Sequence, residues 1–499
     1  MNSMDIFTQI AKFIPSELGY LFPEIFLSAG ILFAMGSEFL RGGKRRGTLR
    51  LCGLVAFCSF VLSLQPLGRV AYAGFCFEPD ALSQFVRIVV SLGALLAIGG
   101  LAGSGTWKNR PESGEAGILI LSVALGAMLF SSAANLLSLL LSLEFLSLSS
   151  YGLAGFHGRD RSAAEAGLKY VLYGGVASAV ALFGMSHVFG MTGTLSYAGV
   201  GQILAMGGAD KAVLVPLLLV GVAFGYKLAL VPFHFWGPDV YQGCPAVSAG
   251  FLSTVPKTAG FVGLIHFLLS VFPDWTPLVS GTMLPTFLAV FGIVSTVVGA
   301  VAAGMQKDAR RTLAFSSTSN AGTMLIVLSS WITIDAVAAL GFFLLVYLFA
   351  NFGAFLALDR LETESGSSTF ESLAGSWKRR PWTVAGLTFC LVSLAGIPPL
   401  AGFTAKWAIL REVLRVGLDG GLGIVTLVAA VAILISSVCL VWAYLRIVRA
   451  AVVDDPEKTH ETVEFLPLSG TVLGFCSLAV LFLGWGWPVL DLLRKQLGG

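Results

Sequence analysis

Successive runs of about twenty apolar residues occupy most of the chain and limit its fold more than any other feature. Of 499 residues, 56% are hydrophobic and 12% are charged, and the mean hydropathy is +0.85. Soluble domains carry about 25% charged residues. Because a helical run of this length crosses the roughly 30 Å hydrocarbon core of a bilayer, the pattern predicts an all-α polytopic membrane protein surrounded by lipid.

Fourteen of these runs, bounded by Gly, Pro or charge, are candidate transmembrane spans. Span 10 is rich in Ser, Thr and Asn, so we expect it inside the bundle rather than against lipid. The segment before span 1 lacks the basic region and cleavage site of a signal peptide, and we therefore keep it in the mature chain. The spans are 19–39, 50–67, 81–103, 116–132, 135–156, 165–189, 212–232, 246–272, 279–303, 308–330, 334–358, 383–416, 421–447 and 465–489.

The distribution of basic residues predicts the orientation. When the basic residues near span ends are counted with the adjoining loops, loops after odd-numbered spans hold 19 of the 31 Lys and Arg residues, the other loops and the termini hold 7, and the remaining 5 lie deeper within spans. Because basic loops stay in the cytoplasm, we expect the odd loops there and both termini on the non-cytoplasmic side.

Two spans are interrupted at prolines. Span 12 has 34 residues and would be about 51 Å long as a straight helix, so it must break or project, and Pro398 and Pro399 supply the break. Span 7 ends in LVPFHFWGP, with Pro232 five residues after Lys227. Interruptions five spans apart predict two inverted repeats, spans 4–8 and 9–13, with sites at the broken helices 7 and 12.

This organisation divides the chain into four parts. Residues 1–115 hold spans 1–3, 116–272 the first repeat, 279–447 the second repeat, and 448–499 span 14.

Four ionisable side chains lie inside otherwise apolar spans: Glu144, Lys227, Lys257 and Lys406. A charge at the bilayer centre costs roughly 3 kcal/mol on insertion scales, and we interpret the four as a relay for protons. Lys227 is the natural partner of Glu144, since burial disfavours either charge alone. Pairing favours both charged forms and separation favours loss of the lysine proton, so the pair would be a switch controlled by distance.

Polar groups on neighbouring spans are expected to bridge these sites together with water. The alternative for each charge is an ion pair that fixes helix packing, or a side chain that reaches the membrane interface. The bridging candidates are Ser248, Ser253, Thr254, Ser316, Ser317, Ser319, Thr404 and Tyr226.

Five further ionisable residues are weaker candidates. Lys169 lies near the cytoplasmic end of span 6, where it either joins the relay or reaches the interface. His234 lies in the span-7 break and is able to relay protons near neutral pH. We expect His187 and His266 to be hydrogen-bonded packing residues and Arg87 to anchor span 3 at the interface.

Several function classes are excluded by missing motifs. The sequence has no GxGxxG dinucleotide motif, no Walker phosphate loop, no glycosidase-like carboxylate pair and no Gly-x-Ser-x-Gly elbow. Its seven cysteines include no CxxC pair, so neither a metal site nor an iron–sulfur cluster is predicted. The sequence also has no basic tail of the kind that binds nucleic acid. We therefore expect a non-redox chain whose energy comes from an ion gradient or from partner proteins.

The stretch FGYKLALVPFHFWGPDVYQGCPAVSAGFLSTVPKTAGF (224–261) resembles the antiporter-like membrane subunits of respiratory complex I, and with DVYQG it is most similar to the subunit N family of NADH–quinone oxidoreductase. Three further stretches support this resemblance, and it covers roughly residues 115–450. They are SLEFLSLSSYGLAGF (142–156), QKDARRTLAFSSTSNAG (306–322) and SLAGIPPLAGFTAKW (393–407). Cys244 and Val247 depart from the family pattern.

The resemblance implies roles for the four charges. Glu144 and Lys227 would form the pair between helices 5 and 7, Lys257 would be the central relay of helix 8, and Lys406 the terminal lysine of helix 12. It also implies a bacterial inner or plasma membrane location and membrane-arm subunits on both sides. A hydrophilic arm would hold NADH, FMN, iron–sulfur clusters and quinone, with no cofactor in this chain.

Three functions remain open from the residues. The first is a proton-translocating subunit of a quinone-reducing dehydrogenase. The second is a subunit of a multisubunit cation/proton antiporter, which shares the broken helices and buried lysines. The third, a structural scaffold, gives no reason to bury four charges near helix breaks.

Overall fold

The computed structural model describes a bundle of α-helices and, within its described residues, no β-strand beyond isolated bridges. The all-α membrane architecture expected from the sequence is confirmed. The N-terminal segment that we keep in the mature chain, residues 1–18, lies outside the described residues. Those residues are 19–41, 45–65, 76–105, 107, 112–156, 161–207, 211–272, 283–329, 332–419, 423–455 and 467–498.

The longer helices follow the order of the predicted spans, and we number them accordingly. Shorter helices lie at Tyr197–Ala205, Phe370–Leu373, Ser376–Arg379 and Trp487–Gly498. The numbered helices are Phe22–Arg41 (α1), Arg45–Ser63 (α2), Ala81–Gly103 (α3), Ser113–Ser131 (α4), Leu136–Gly155 (α5), Arg161–Thr192 (α6), Leu214–Leu228 (α7a), Trp236–Gly243 (α7b), Ala246–Val271 (α8), Met283–Met305 (α9), Ala309–Leu328 (α10), Ile334–Ser365 (α11), Pro381–Ala395 (α12a), Ala401–Asp419 (α12b), Gly423–Val452 (α13) and Pro467–Phe482 (α14).

Length and composition distinguish the helices that are able to cross a membrane. Among the described residues, ten helices are long and apolar enough to cross a membrane. Three further helices are apolar but shorter: Gly47–Ser63, α7a and α12a. The two helices α7a and α12a are short because the chain interrupts them. Helix α10 is too polar to count, and nearly all of its residues are buried, as expected for a helix inside the bundle.

Side-chain caps begin several helices where the apolar runs start. Asp80 accepts a hydrogen bond from the Ser83 backbone at the start of α3, and Asn135 accepts one from Ser138 at the start of α5. In both cases the serine side chain returns a bond to the cap, which satisfies two free backbone groups. The Asp308 side chain caps α10 by accepting a single hydrogen bond, from the Arg311 backbone N–H. Each cap typically contributes about 1 kcal/mol, and two of them begin helices of the candidate site.

Both α7 and α12 are broken where the sequence predicts a break. After α7a, Ala229 takes the left-handed conformation with φ 55°, and Pro232 follows. After α12a, Gly396 takes φ 86° before Pro398 and Pro399. The prolines prevent the helix from continuing, and the left-handed residues turn the chain away. The proline pattern did not reveal this second contribution.

The interpretation of Arg87 as an interface anchor is wrong. Its side chain is 1% exposed and forms a bidentate pair with Glu24 of α1, with Nε–Oε1 at 2.6 Å and Nη2–Oε2 at 2.9 Å. Nη2 also donates to the Tyr20 carbonyl. A single helix read alone does not show a partner on another helix, and the sequence analysis therefore missed both the pair and the buried Glu24.

Breaking this pair should destabilise the fold. Removing one partner of a buried ion pair leaves the other uncompensated, at a cost of about 3–5 kcal/mol. We therefore expect Arg87→Met to lower the unfolding temperature of the protein in lipid nanodiscs, and Glu24→Leu combined with Arg87→Met to recover much of the loss. Lys378→Met, which removes an exposed pair with Asp455, is the control and should change little. A double variant as unstable as Arg87→Met would contradict this account.

Candidate functional site

Lys227 lies in the last turn of α7a and is 1% exposed. Its Nζ donates to Ser147 Oγ of α5 at 3.2 Å. Glu144 lies one turn before Ser147 and acts electrostatically on Lys227, but the described structure contains no direct ion pair between them. The two groups that we expect to form a switch are therefore separated, with a serine hydroxyl at the lysine.

Glu144 is partly exposed on the outer face of α5. Its neighbours on that face, Leu141, Phe145 and Leu148, are exposed apolar side chains. A carboxylate among them would face hydrocarbon unless another protein covered it, and ionisable groups that face lipid are rare.

Lys257 lies in the middle of α8, next to Pro256, and is 2% exposed. Its Nζ donates to the carbonyl and the hydroxyl of Ser317 on α10, at 3.0 and 2.6 Å. The same hydroxyl accepts a bond of 2.7 Å from Tyr347 of α11. Three helices therefore meet at this ammonium.

Lys406 lies in α12b and is 8% exposed. Its Nζ donates to the carbonyl of Ala395, the last residue of α12a, at 3.1 Å, and to Ser437 Oγ of α13 at 3.4 Å. The last carbonyls of a helix have no intrahelical partner and carry partial negative charge. The α12 break thus provides an acceptor for a buried lysine.

The three lysines share one electrostatic feature. Within the described residues, no carboxylate lies at ion-pair distance from any of them, and their contacts are hydroxyl and carbonyl oxygens. Burying an ammonium without a counter-ion costs several kcal/mol. Such a group is suited to release and regain a proton when its surroundings change.

Packing joins Lys227, Lys257 and Lys406 into a row: the helices of Lys227 and Lys257 adjoin, and α10 contacts both the Lys257 helix and the Lys406 helix. A Cβ at Gly260, one turn after Lys257, would lie 3.9 Å from Lys227 Cγ, so the stem of Lys227 runs along the Lys257 helix. On the other side, α13 packs against α10. Helix α13 also carries Ser437, the contact of Lys406.

Most of the predicted bridging residues do not contact a lysine. Of the eight, within the described residues, Ser317 alone binds one. Ser319 donates to the Thr296 carbonyl, Thr404 to the Gly484 carbonyl and Tyr226 to the Tyr170 carbonyl. Ser253, Thr254 and Ser316 donate to carbonyls of their own helices, and Ser248 Oγ has no partner in the described structure.

The two weaker relay candidates occupy different surroundings. Lys169 is 37% exposed and pairs with Asp239 at 2.7 Å and Glu165 at 2.8 Å, outside the row of buried lysines. His234 is buried in the α7 break beside Phe315, and its Nδ1 has no hydrogen-bond partner among the described residues. His266 bonds Ser131 and Asp80, as expected for a hydrogen-bonded packing residue.

Comparison with known proteins places this site in a family. Residues 133–438 match the family model described as NADH:quinone oxidoreductase/Mrp antiporter, TM. The chain belongs to this family. All four charges of the candidate site lie inside the matched segment, and the resemblance inferred from the helix-7 and helix-8 sequence is confirmed.

Several members of the family are similar over nearly their whole length. NADH-quinone oxidoreductase subunit N of Anaeromyxobacter sp. (strain Fw109-5) is 34% identical over 93% of both chains. A chain of respiratory complex I from Thermus thermophilus, solved with bound aureothin, has 30% identity and a TM-score of 0.76, covering 94% of this chain and 98% of that one. A chain of the Mrp complex from Dietzia sp. DQ12-45-1b has 20% identity and a TM-score of 0.80, covering 96% and 97%, a likeness of fold alone.

Two arginines of α10 fasten the broken helix, and the sequence analysis treated them only as basic loop residues. Arg310 donates to the carbonyls of Tyr241 and Cys244 at the end of α7b, and Arg311 donates to Asp239 at 2.8 Å. A cation at a helix C-terminus satisfies free carbonyls and opposes their partial charge. The acidic residue in DVYQG was the available signal for this contact.

Gly396 offers a test of how the α12 break positions Lys406. An added Cβ would lie 2.9 Å from Lys406 Cδ, at a φ of 86°. We expect Gly396→Ala to move the lysine from the Ala395 carbonyl and to reduce proton transport by the assembled protein. Gly366→Ala is the matched control, because Gly366 also has a positive φ but no atom near its added Cβ. Equal transport by the two variants would contradict the role of the break.

Proposed function

We propose that this chain is a proton-translocating, non-redox membrane subunit of an NADH or related donor quinone oxidoreductase. The observation that supports this most is the row of three buried lysines, Lys227, Lys257 and Lys406, which have no counter-ion among the described residues. The energy of quinone reduction elsewhere in the complex would drive changes in their surroundings. No cofactor is assigned to this chain, and NADH, FMN, iron–sulfur clusters and quinone belong to partner subunits.

The contacts suggest how a proton would move. When Glu144 approaches Lys227, the pair stabilises the protonated lysine, and when they separate the buried charge loses that support. Ser147 keeps the Lys227 ammonium hydrogen-bonded in the separated state. The proton would then pass to Lys257 and Lys406 through water and hydroxyl groups, each step needing hydrogen-bond reach. Lys169 and His234 are further candidates at the edges of this route.

The exposed face of α5 supports a protein neighbour on the Glu144 side. Other membrane-arm subunits would flank the chain on both sides, and a hydrophilic dehydrogenase arm would complete the complex. A neighbour on α5 would remove Glu144 from lipid and would be able to move its carboxylate relative to Lys227.

The proposed architecture has fourteen spans in a bacterial energy-transducing membrane, with both termini on the non-cytoplasmic side. Helices 4–8 and 9–13 would form two inverted repeats. The breaks after α7a and α12a occupy corresponding positions in the two proposed repeats, and each lies near one of the proposed relay lysines, which supports the inverted-repeat assignment.

The alternative is a subunit of a multisubunit cation/proton antiporter. The fold likeness to the Mrp complex from Dietzia sp. favours keeping this candidate. Identifying the proteins that purify with the chain from its native membrane separates the two, since only the first proposal requires dehydrogenase subunits.

Substitutions of Lys257 separate a relay from a fixed charge. Arginine keeps its positive charge at any physiological pH, whereas a buried lysine is able to exchange its proton. If Lys257 must release a proton in each cycle, Lys257→Arg should pump as poorly as Lys257→Met. The measurement is proton transport alongside quinone reduction in vesicles that contain the assembled complex.

Assembly of the Lys257→Arg complex needs an independent check, because the larger guanidinium group is also able to disrupt the structure by overpacking the interior. Lys378→Arg, at an exposed position, is the matched control for the same exchange and should pump normally. Near-normal pumping by Lys257→Arg would leave Lys257 as a fixed charge and contradict the relay.

A further inference from the structure

A stretch of seven residues, 229–235, separates the two halves of α7. A side-chain hydrogen bond spans this gap. The indole Nε1 of Trp236, the first residue of α7b, donates to the Tyr226 carbonyl of α7a at 3.2 Å. Tyr226 immediately precedes Lys227 in the chain, so the bond ends on the residue next to one of the proposed relay lysines.

The Trp236 side chain is held in one orientation by other aromatic rings. It is 1% exposed, and its ring stacks on that of Tyr170 in α6, with centroids 4.4 Å apart and an interplanar angle of 13°. The Tyr241 ring meets it edge to face, at 5.6 Å and 81°. Buried aromatic pairs favour these specific arrangements. The indole N–H therefore points in a fixed direction, toward the end of α7a.

Tyr226 is restrained at three points. Its carbonyl accepts the bond from Trp236, its ring lies 5.4 Å from the Trp236 ring, and its hydroxyl donates to the Tyr170 carbonyl at 3.3 Å. The hydroxyl also lies 3.5 Å from that of Tyr151 on α5. The last turn of α7a is therefore tied to α5, α6 and α7b through the residue that precedes Lys227.

Gly174 of α6 shows how closely these groups are packed. A Cβ at this position would overlap the Tyr151 hydroxyl and would lie 2.7 Å from the Tyr226 hydroxyl oxygen. Glycine inside a helix is less favourable than alanine, because it loses more backbone entropy on folding. Its place in the middle of α6 provides the space that the two hydroxyls occupy.

The following turn of α7b is anchored by charge. Asp239 lies three residues after Trp236, and its carboxylate accepts bonds from Lys169 of α6 at 2.7 Å and from Arg311 of α10 at 2.8 Å. The two side chains lie about one helical turn apart, so a displacement of Asp239 would carry Trp236 with it. Through the indole N–H the same displacement would reach Tyr226.

We propose that Trp236 is a positioning residue that connects α7b, across the break, to the turn that carries Lys227. In this structure the connection holds Lys227 Nζ at Ser147, one turn from Glu144. The indole acts through the Tyr226 carbonyl and does not itself carry a proton. A shift of α7b changes the distance between Lys227 and Glu144, and with it the support for the lysine charge. The role in proton transport rests on the function proposed above, whereas the mechanical connection does not.

The connection is measured by hydrogen–deuterium exchange of the assembled complex, followed by mass spectrometry. The amides of Ala229 and Leu230, which donate to the carbonyls of Tyr226 and Gly225, report on opening of the last turn of α7a. Trp236→Phe removes the indole N–H and keeps a ring in the stack. Because the turn loses one buried hydrogen bond, exchange of these amides should accelerate by about fivefold.

A second variant separates the hydrogen bond from the volume of the ring. In Trp236→benzothienylalanine a sulfur atom replaces the N–H and the ring size is kept, so the variant should assemble and should show the same acceleration. Trp382→benzothienylalanine is the matched control, because Trp382 is 88% exposed, and it should leave exchange at the end of α7a unchanged. Wild-type exchange in Trp236→benzothienylalanine would overturn the connection.

The role in proton transport is measured as protons translocated per quinone reduced by the assembled complex. Trp236→benzothienylalanine should lose part of this ratio, whereas Trp382→benzothienylalanine should keep the wild-type value. A merely structural role would reduce the amount of assembled complex and leave its ratio unchanged, so a wild-type ratio in the Trp236 variant would overturn the positioning role. The two proposals fail separately: a wild-type ratio in Lys227→Ala contradicts the relay, and unchanged exchange in the Trp236 variant contradicts the connection.

Discussion

A lysine ammonium buried in the membrane interior needs either a counter-ion or a way to lose its proton, because desolvation costs several kcal/mol per ion. Two kinds of buried cation coexist in this protein. Arg87 has a bidentate carboxylate on α1, and Arg310 has helix carbonyls and Glu362. Lys227, Lys257 and Lys406 have only hydroxyls and carbonyls in the described structure. The two buried arginines, whose charge is permanent, therefore have carboxylate partners. The three lysines, which are able to lose a proton, have no counter-ion among the described residues.

The helix breaks follow from the same requirement. Inside a continuous helix each carbonyl already accepts a backbone hydrogen bond, whereas the end of α12a presents the Ala395 carbonyl, which has no partner in its own helix, to Lys406. In α7 the break follows Lys227 within a few residues, and its second half is held by Arg310 and Arg311. The polar helix α10 then supplies Ser317 to Lys257 and the two arginines to α7b. One polar helix therefore serves both halves of the bundle, which accounts for its burial.

Composition and periodicity were enough to predict the membrane class, the order of the helices and both breaks, because these depend on local patterns. The four charges proposed to form the relay could also be identified, since a charge in an apolar run is conspicuous. Contacts between helices could not be predicted from the sequence. Nothing in the sequence places Glu24 against Arg87, sets Ser147 at Lys227, or stacks Trp236 on Tyr170. Those contacts depend on helix rotation and register, and the apolar residues of a membrane bundle specify these only through packing.

The central claim is that the uncompensated lysines carry protons during turnover. The most direct measurement is the number of protons translocated per quinone reduced by the assembled complex, with Lys227→Ala in this chain compared with the wild type at equal assembly. A lower ratio in the variant is predicted, because the row would lose the member next to Glu144. An unchanged ratio would contradict the account, since the buried lysine would then serve only to hold the helices together.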